Sequence, residues 1–525
     1  MLRHAAFAHA LILAVLGCAL EGAARPRGGP DAEARDKLGR TALIRTAAWT
    51  QYDLVDGQES RSAAEAERLL RVGADVNARD HQGMTALMWA AGWGHPEVLQ
   101  VLLKHHPDVA ARDRRGRTAL TWAARGRRPE IVEPLLEHGA REGVAEALLL
   151  GHERRALDLI AAGADVTTRG PYGETTLMMA AEHGSLAAVQ ALLQRRVDVN
   201  ARDVKGRTAL VMGVGAVPLR SLPSGQRLKV PDPARAVRPA LVRLLVQHGA
   251  DPNVRDREDG DTPLLRAADY GTVETIRALL QAGARVNAGS RPGRETALMR
   301  AVREDQEDVA RVLLASGADP EARNRDGATA LHDAAGRSLE MVQLLLSHGA
   351  SVNAQNGRGD PPLLAAHQAP VIRTLIEYGA DVNLRARHRP SALMWAAKRE
   401  DREAVRLLRA AGAHVGLLEA LYLGEEQTAR RLLRKGGRRK EVGPLNETAL
   451  MVAVNKGMED VAEILLTQRI DLNAQDSVGR TALMLAVQRG NVRLVEALLR
   501  RGAAVNVKTR WSEQTALLFA QEAKN

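Results

Sequence analysis

Apolar positions along the chain fall into one recurring pattern. A Thr, Ser or Pro, a small residue and a Leu open a short Ala-rich stretch, as in Thr85-Ala86-Leu87-Met88-Trp89-Ala90-Ala91, Thr118-Ala119-Leu120, Thr208-Ala209-Leu210, Thr296-Ala297-Leu298-Met299 and Thr481-Ala482-Leu483-Met484. A second stretch follows, with apolar residues four and then one apart: Val98, Leu102 and Leu103 in one case, Val309, Leu313 and Leu314 in another. That spacing makes one stripe along a helix. Most starts are about 33 residues apart, which predicts a stack of helix pairs, each covering the apolar face of its neighbour.

The polar punctuation agrees. In Asp113-Arg114-Arg115-Gly116-Arg117-Thr118 the Gly permits the positive φ of a tight tip, and the Thr hydroxyl can cap the helix that follows. Gly73, Gly139, Gly163, Gly249, Gly283, Gly317, Gly349, Gly379, Gly412 and Gly502 stand where the second helix must stop. The pattern Asp-x-x-Gly-x-Thr-Ala-Leu-x-x-Ala-Ala-x-x-Gly, then Val-x-x-Leu-Leu-x-x-Gly-Ala-Asp-Val-Asn-Ala, resembles the ankyrin repeat from about Asp36 to the C-terminus. The resemblance implies an all-α repeat solenoid of stacked helix-turn-helix units with β-hairpin loops, about 15 units including two shortened ones and a C-terminal half-unit that starts at Thr515. It also implies recognition of folded proteins through hairpin tips and inner helices.

Departures from the family pattern are specific. Met88, Met178, Met299, Met394, Met451 and Met484 stand where the family commonly has a His, and His332 keeps it; the Met side chains are expected to be apolar filler between units. The intervals from Thr118 to Thr175 and from Ser391 to Thr448 each hold a shortened unit without a hairpin signature, beginning at Gly143 and Gly416. Trp122 and Trp395, Pro171 and Pro444, and Met178 and Met451 share one offset, 273 residues, read as an internal duplication of 118–208 as 391–481. Arg196 and Arg469 obey it too, each replacing the helix-ending Gly. Insertions are expected near 50–62 and, rich in Pro and placed between two helices, at 213–238.

Composition narrows the interior and the charge. Six Trp, five Tyr and two Phe leave Ala and Leu to build closely packed helices, and 74 Lys plus Arg against 63 Asp plus Glu give a net charge of +11. Ala10 to Leu20 is an 11-residue apolar run after a basic start, which matches a signal-peptide core and is too short for a membrane span. The expected organisation is a signal peptide over 1–24, a linker over 25–35 and the array over 36–525. Val15-Leu16-Gly17-Cys18 resembles the bacterial lipoprotein box and makes Cys18 the lipidation candidate, with cleavage after Ala24 as the other route. The expected location is therefore export to a bacterial periplasm or envelope, or the cytoplasm if the leader is not used. Cys18 is the single cysteine, so no disulfide is expected.

Chemistry is sparse. No nucleophile elbow, phosphate loop or metal motif occurs, and Gly213-Val-Gly215 lacks the Lys-Ser/Thr of a nucleotide loop. Lys104-His105-His106-Pro107, with Asp108 assigned to the helix-ending position, is read as solvated side chains, so neither metal nor cofactor is expected. The insertion holds no His, Cys or Glu, and no enzyme is expected. Trp89, Trp122 and Trp395 are assigned to the core. Partner-binding candidates are His81, Gln82, Trp93, Arg114, Arg115, Arg117 and Arg125, the arginines belonging to a basic rim that includes Arg112, Arg202 and Arg207. Two function classes follow: a protein-binding scaffold in the cell envelope, or a rim that binds an anionic polymer or lipid head group. Nucleic acid is disfavoured by the shortage of aromatics for stacking.

Overall fold

The computed structural model describes residues 33–48, 59–126, 128–215, 219–221, 227–229, 235–291, 293–385, 389–436 and 442–522. The leader, the lipidation candidate Cys18 and most of the first insertion lie outside them. The chain forms two units, Met1–Pro292 and Gly293–Asn525, each a stack of helix pairs.

One repeat explains the rest. Asp80 Oδ1 accepts the Gln82 and Met84 N–H groups, which folds the turn at Gly83. Thr85 then caps helix Ala86–Trp93 by accepting the Met88 N–H. Gly94 reverses the chain in the left-handed region, φ 79°, and Pro96 opens helix Pro96–Lys104. The inner helix packs on the inner helix Ala119–Gly126 of the next repeat, and the outer helix on its neighbours Glu59–Arg71 and Pro129–Glu137. Leu99, Leu102 and Leu103 are buried between them, each worth about 1.5–3 kcal/mol relative to exposure.

The return loops are tied in series. Asn200 Oδ1 accepts the Asp251 N–H at 2.9 Å while its Nδ2 donates to the Gly249 carbonyl at 2.8 Å. Asn253 does the same for Arg285 and Gly283, and in the second unit Asn353 and Asn383 do it for Asp381 with Gly379 and for His414 with Gly412. This is the physical role of the Asn in Asp-Val-Asn-Ala.

Four sequence expectations change. The methionines are more than filler: Met178, Met451 and Met484 each bring Sδ to 3.4 Å from the N–H of its capping Thr. His332 Nδ1 accepts the Thr329 N–H at 3.1 Å in the same place, and its Nε2 reaches the Asp360 carbonyl at 3.0 Å. Arg196 takes a positive φ of 55°, but Arg469 does not, because its helix Glu459–Leu466 ends sooner and needs no left-handed residue. His106, not Asp108, holds the helix-ending position, with φ 51°. Between helices Ala209–Gly213 and Arg238–Gln247 the insertion contains strands Leu219–Ser221 and Arg227–Lys229, paired antiparallel, so it is not wholly loop.

The shortened repeats have their own device. Helix Val144–Leu150 starts at Gly143, which has no side chain to cap it. Buried Glu146 folds back to accept the Gly143 N–H at 3.1 Å and also accepts the Thr118 and Thr121 hydroxyls of the preceding repeat. Glu419, three residues after Gly416, accepts the Ser391 hydroxyl at 2.6 Å. A missing hairpin is thus compensated by a buried carboxylate that joins two repeats.

Candidate binding surface

Successive hairpin tips are joined edge to edge. Arg114 N–H donates to the Gln82 carbonyl at 3.0 Å and His81 N–H to the Leu38 carbonyl at 3.0 Å, so the tips of neighbouring repeats form one row. His81, Arg114 and Arg115 are exposed on it and Gln82 is half-buried. Among the described residues neither Arg114 nor Arg115 belongs to an ion pair.

Arginines just before the tips tie repeats through carbonyl groups. Arg79 donates to the Arg112 carbonyl at 2.7 Å, and Arg112 to that of Gly116 at 2.7 Å. Arg255 donates to Gly260 and Gly289 at 2.7 Å each. Arg169 spans Gly173 and Arg202, and Arg202 reaches Arg255. In the second unit Arg323 spans Gly327 and Gln355. Neutral acceptors leave the positive charge in place, so these arginines serve the architecture and still supply the field of a basic rim.

Two predicted contact residues are turned inward. Arg117 is 2% exposed: its Nε meets Asp113 Oδ2 at 2.6 Å, its Nη1 donates to the Pro171 carbonyl at 3.0 Å, and its guanidinium lies 4.4 Å from the centre of the Trp122 ring. Burial pulls its pKa below the usual Arg range, against the attraction of Asp113. Asp203 holds Arg207 the same way, at 2.7 Å. Arg125 is mostly covered between Glu174 at 3.2 Å and Glu182 at 3.0 Å. These three are internal ties and not rim charges. Trp93 is half-buried against the core, its carbonyl accepting from Arg128 at 2.8 Å.

Trp89 and Trp122 are buried as expected, Trp89 donating Nε1–H to Asp80 at 3.0 Å. Trp395 is only half-buried, because Arg117, which covers Trp122, has Pro390 as its counterpart. Residues overlooked in the sequence are Leu445, Val478 and Trp511, 41%, 40% and 85% exposed at three consecutive tips. Their equal 33-residue spacing was the available signal. No group of three or more His, Cys, Asp or Glu side chains arranged to hold a metal occurs among the described residues, and none of the helices searched there is long and apolar enough to cross a membrane.

Helix pairs capped by Thr, stopped by Gly and stacked tip to tip define a repeat protein of the ankyrin class. Family profiles agree: ankyrin repeats in three copies match residues 60–146, 234–324, 331–419 and 417–509, and ankyrin repeats in many copies match 159–211. These spans cover well over half of the chain, which belongs to the ankyrin repeat family. It is similar to the B-cell lymphoma 3 protein homolog of Mus musculus, 36% identical over 248 residues, 46% of this chain and 36% of that one. It is also similar to the B-cell lymphoma 3 protein of Homo sapiens, 38% identical over 222 residues, 41% of this chain and 37% of that one. The chain therefore spans little more than a third of these curated relatives. A crystal structure described as the ankyrin repeat domain of Bcl-3, a unique member of the IkappaB protein family, matches with a TM-score of 0.37 at 32% identity, covering 45% of this chain and 99% of that one. Ankyrin repeats generally mediate protein–protein interaction.

Proposed function

We propose that this chain is a non-enzymatic scaffold that binds a partner protein through its hairpin tips and inner helices. The carrying observation is the row of tips around Arg114 and Arg115, exposed and without ion pairs among the described residues. The likeness to B-cell lymphoma 3 proteins supports a binding role without naming the partner. Arg114→Glu combined with Arg115→Glu tests it: a partner captured by the full chain should be lost at least tenfold on reversal of both charges, and retention at full strength counts against the tips. An export route and envelope location, supported by the Ala10 to Leu20 run and Cys18, belong to the same reading, and the mass of the mature N-terminus decides between lipid anchor, plain secretion and retention.

A second reading rests on the carbonyl-bound arginines, whose charge is available to an anionic polymer or lipid head group. Salt separates the two. Binding that collapses between low and moderate salt favours the electrostatic surface, because exposed charges are screened within about 8–10 Å at physiological ionic strength.

A further inference from the structure

The second unit holds a cavity of about 430 Å³ whose walls include Pro361, Leu364, Pro390, Trp395, Val442 and Pro444. Its origin is visible in the first unit. There Arg117 lies over Trp122 and reaches the Pro171 carbonyl. At the same offset stand Pro390, Trp395 and Pro444, while Asp113, the acid that neutralises Arg117, has Ala386 as its counterpart. Both members of that charged pair are gone, and the cavity beside Trp395 is walled by the indole and proline rings on one part and by His332, His367 and an Arg389–Asp360 ion pair at 2.8 Å on another.

Pro444 sits on the same tip as Leu445. The Leu445 carbonyl accepts the Ser477 N–H at 2.8 Å, and the Val478 carbonyl accepts the Arg510 N–H at 2.9 Å, which joins the three apolar tips in one row ending at Trp511. Adjacent helices pack about 8–10 Å apart, so the cavity and its row extend roughly 30 Å, the reach of about nine or ten extended residues. Around them Arg399 donates to His367 at 2.8 Å and lies 5.8 Å from the Trp395 ring. Among the described residues Arg399 and Arg510 are in no ion pair. A slot of mixed lining with Arg399 at its edge, continued by an apolar strip that ends beside Arg510, fits one kind of ligand.

We infer that the Trp395 cavity and the tips Leu445, Val478 and Trp511 form a docking site for an extended acidic segment of a protein partner, with one apolar side chain seated in the cavity. This rests on the scaffold reading and locates its second contact region. The apolar anchor takes the place beside Trp395 that Arg117 takes beside Trp122 in the first unit, and the acidic flanks meet Arg399 and Arg510.

The test uses the full chain and a fluorescein-labelled peptide of about ten residues, Asp and Glu interrupted by Leu, Leu and Phe, read by fluorescence anisotropy. Saturable binding is expected. It should weaken at least tenfold with Pro390→Arg, which refills the cavity, and with Val478→Ser combined with Trp511→Ser, which act on the surface and should leave the melting curve unchanged. Absence of saturable binding, equal binding of a peptide with Lys in place of the acids, or indifference to both sets of substitutions overturns the inference. Loss confined to the tip variants removes the cavity from the site. A partner captured by the native chain that binds both variants normally, but is lost with the Arg114 and Arg115 reversals, sinks this site and leaves the scaffold reading standing.

Discussion

Arg125 and Lys398 make the same ion pair in different parts of the chain: Arg125 with Glu174 at 3.2 Å, Lys398 with Glu447, the acid in each case 49 residues further on. Both acids are largely buried, at the hairpin that follows a shortened repeat. The basic group changes identity and the tie persists, so its place in the architecture is to close the gap left by a missing hairpin.

Lys398→Arg should therefore leave stability near that of the native chain, whereas Lys398→Ala strands the Glu447 carboxylate and should cost about 1–3 kcal/mol. Urea unfolding of the two variants checks this, and equal midpoints would refute the tie.

Arg117 and Arg114 are three residues apart and should behave oppositely. Arg117→Ala leaves Asp113 buried without its guanidinium and should cost about 3–5 kcal/mol. Arg114→Ala, on the exposed tip, should change stability by no more than about 0.5 kcal/mol. Thermal melts of both read the difference.

Acid should weaken the second unit through His332. Burial, opposed by the bond to the Asp360 carbonyl, holds the imidazole pKa below its ordinary value, so the folded chain keeps it neutral where the unfolded chain takes a proton. Stability is then full above the unfolded value, about 6.5, and declines as pH falls below it. His332→Met, which installs the residue found in other repeats, should flatten the slope of unfolding free energy between about pH 6.5 and 5; an unchanged slope would assign the acid sensitivity elsewhere.

The methionine sulfurs can be tested alone. Met484→Leu keeps the volume but removes the acceptor for the Thr481 N–H, with an expected cost of about 1 kcal/mol. Met484→His should recover part of it by supplying Nδ1, as His332 does. Equal stability of the Leu and Met chains would return these side chains to simple filler.

The repeat frame was legible because each of its parts is local. Thr85, Thr175 and Thr481 cap helices a few residues away, and Gly139 or Gly349 takes its positive φ whatever lies beyond. The fate of each arginine was not, since Arg117 and Arg115 read alike until the turn at Gly116 sends one back onto Asp113 and leaves the other in solvent. Trp395 likewise looked like Trp122, and the difference arises from a neighbour, Pro390, that offers no long side chain to cover it. The tip row was hidden for another reason: Leu445, Val478 and Trp511 have no shared identity, only a shared place.

The Asn tethers at the return loops carry a mechanical consequence. Each reaches one loop further and no more, so a pull along either unit is borne by links in series, the tethered ones resisted by a pair of Asn hydrogen bonds beside the tip bonds, the arginine ties and one layer of Leu and Ala contacts. Such a chain lengthens in steps of one module, and relaxes the same way, which makes each stack a spring whose stiffness is set at the junction between neighbouring modules.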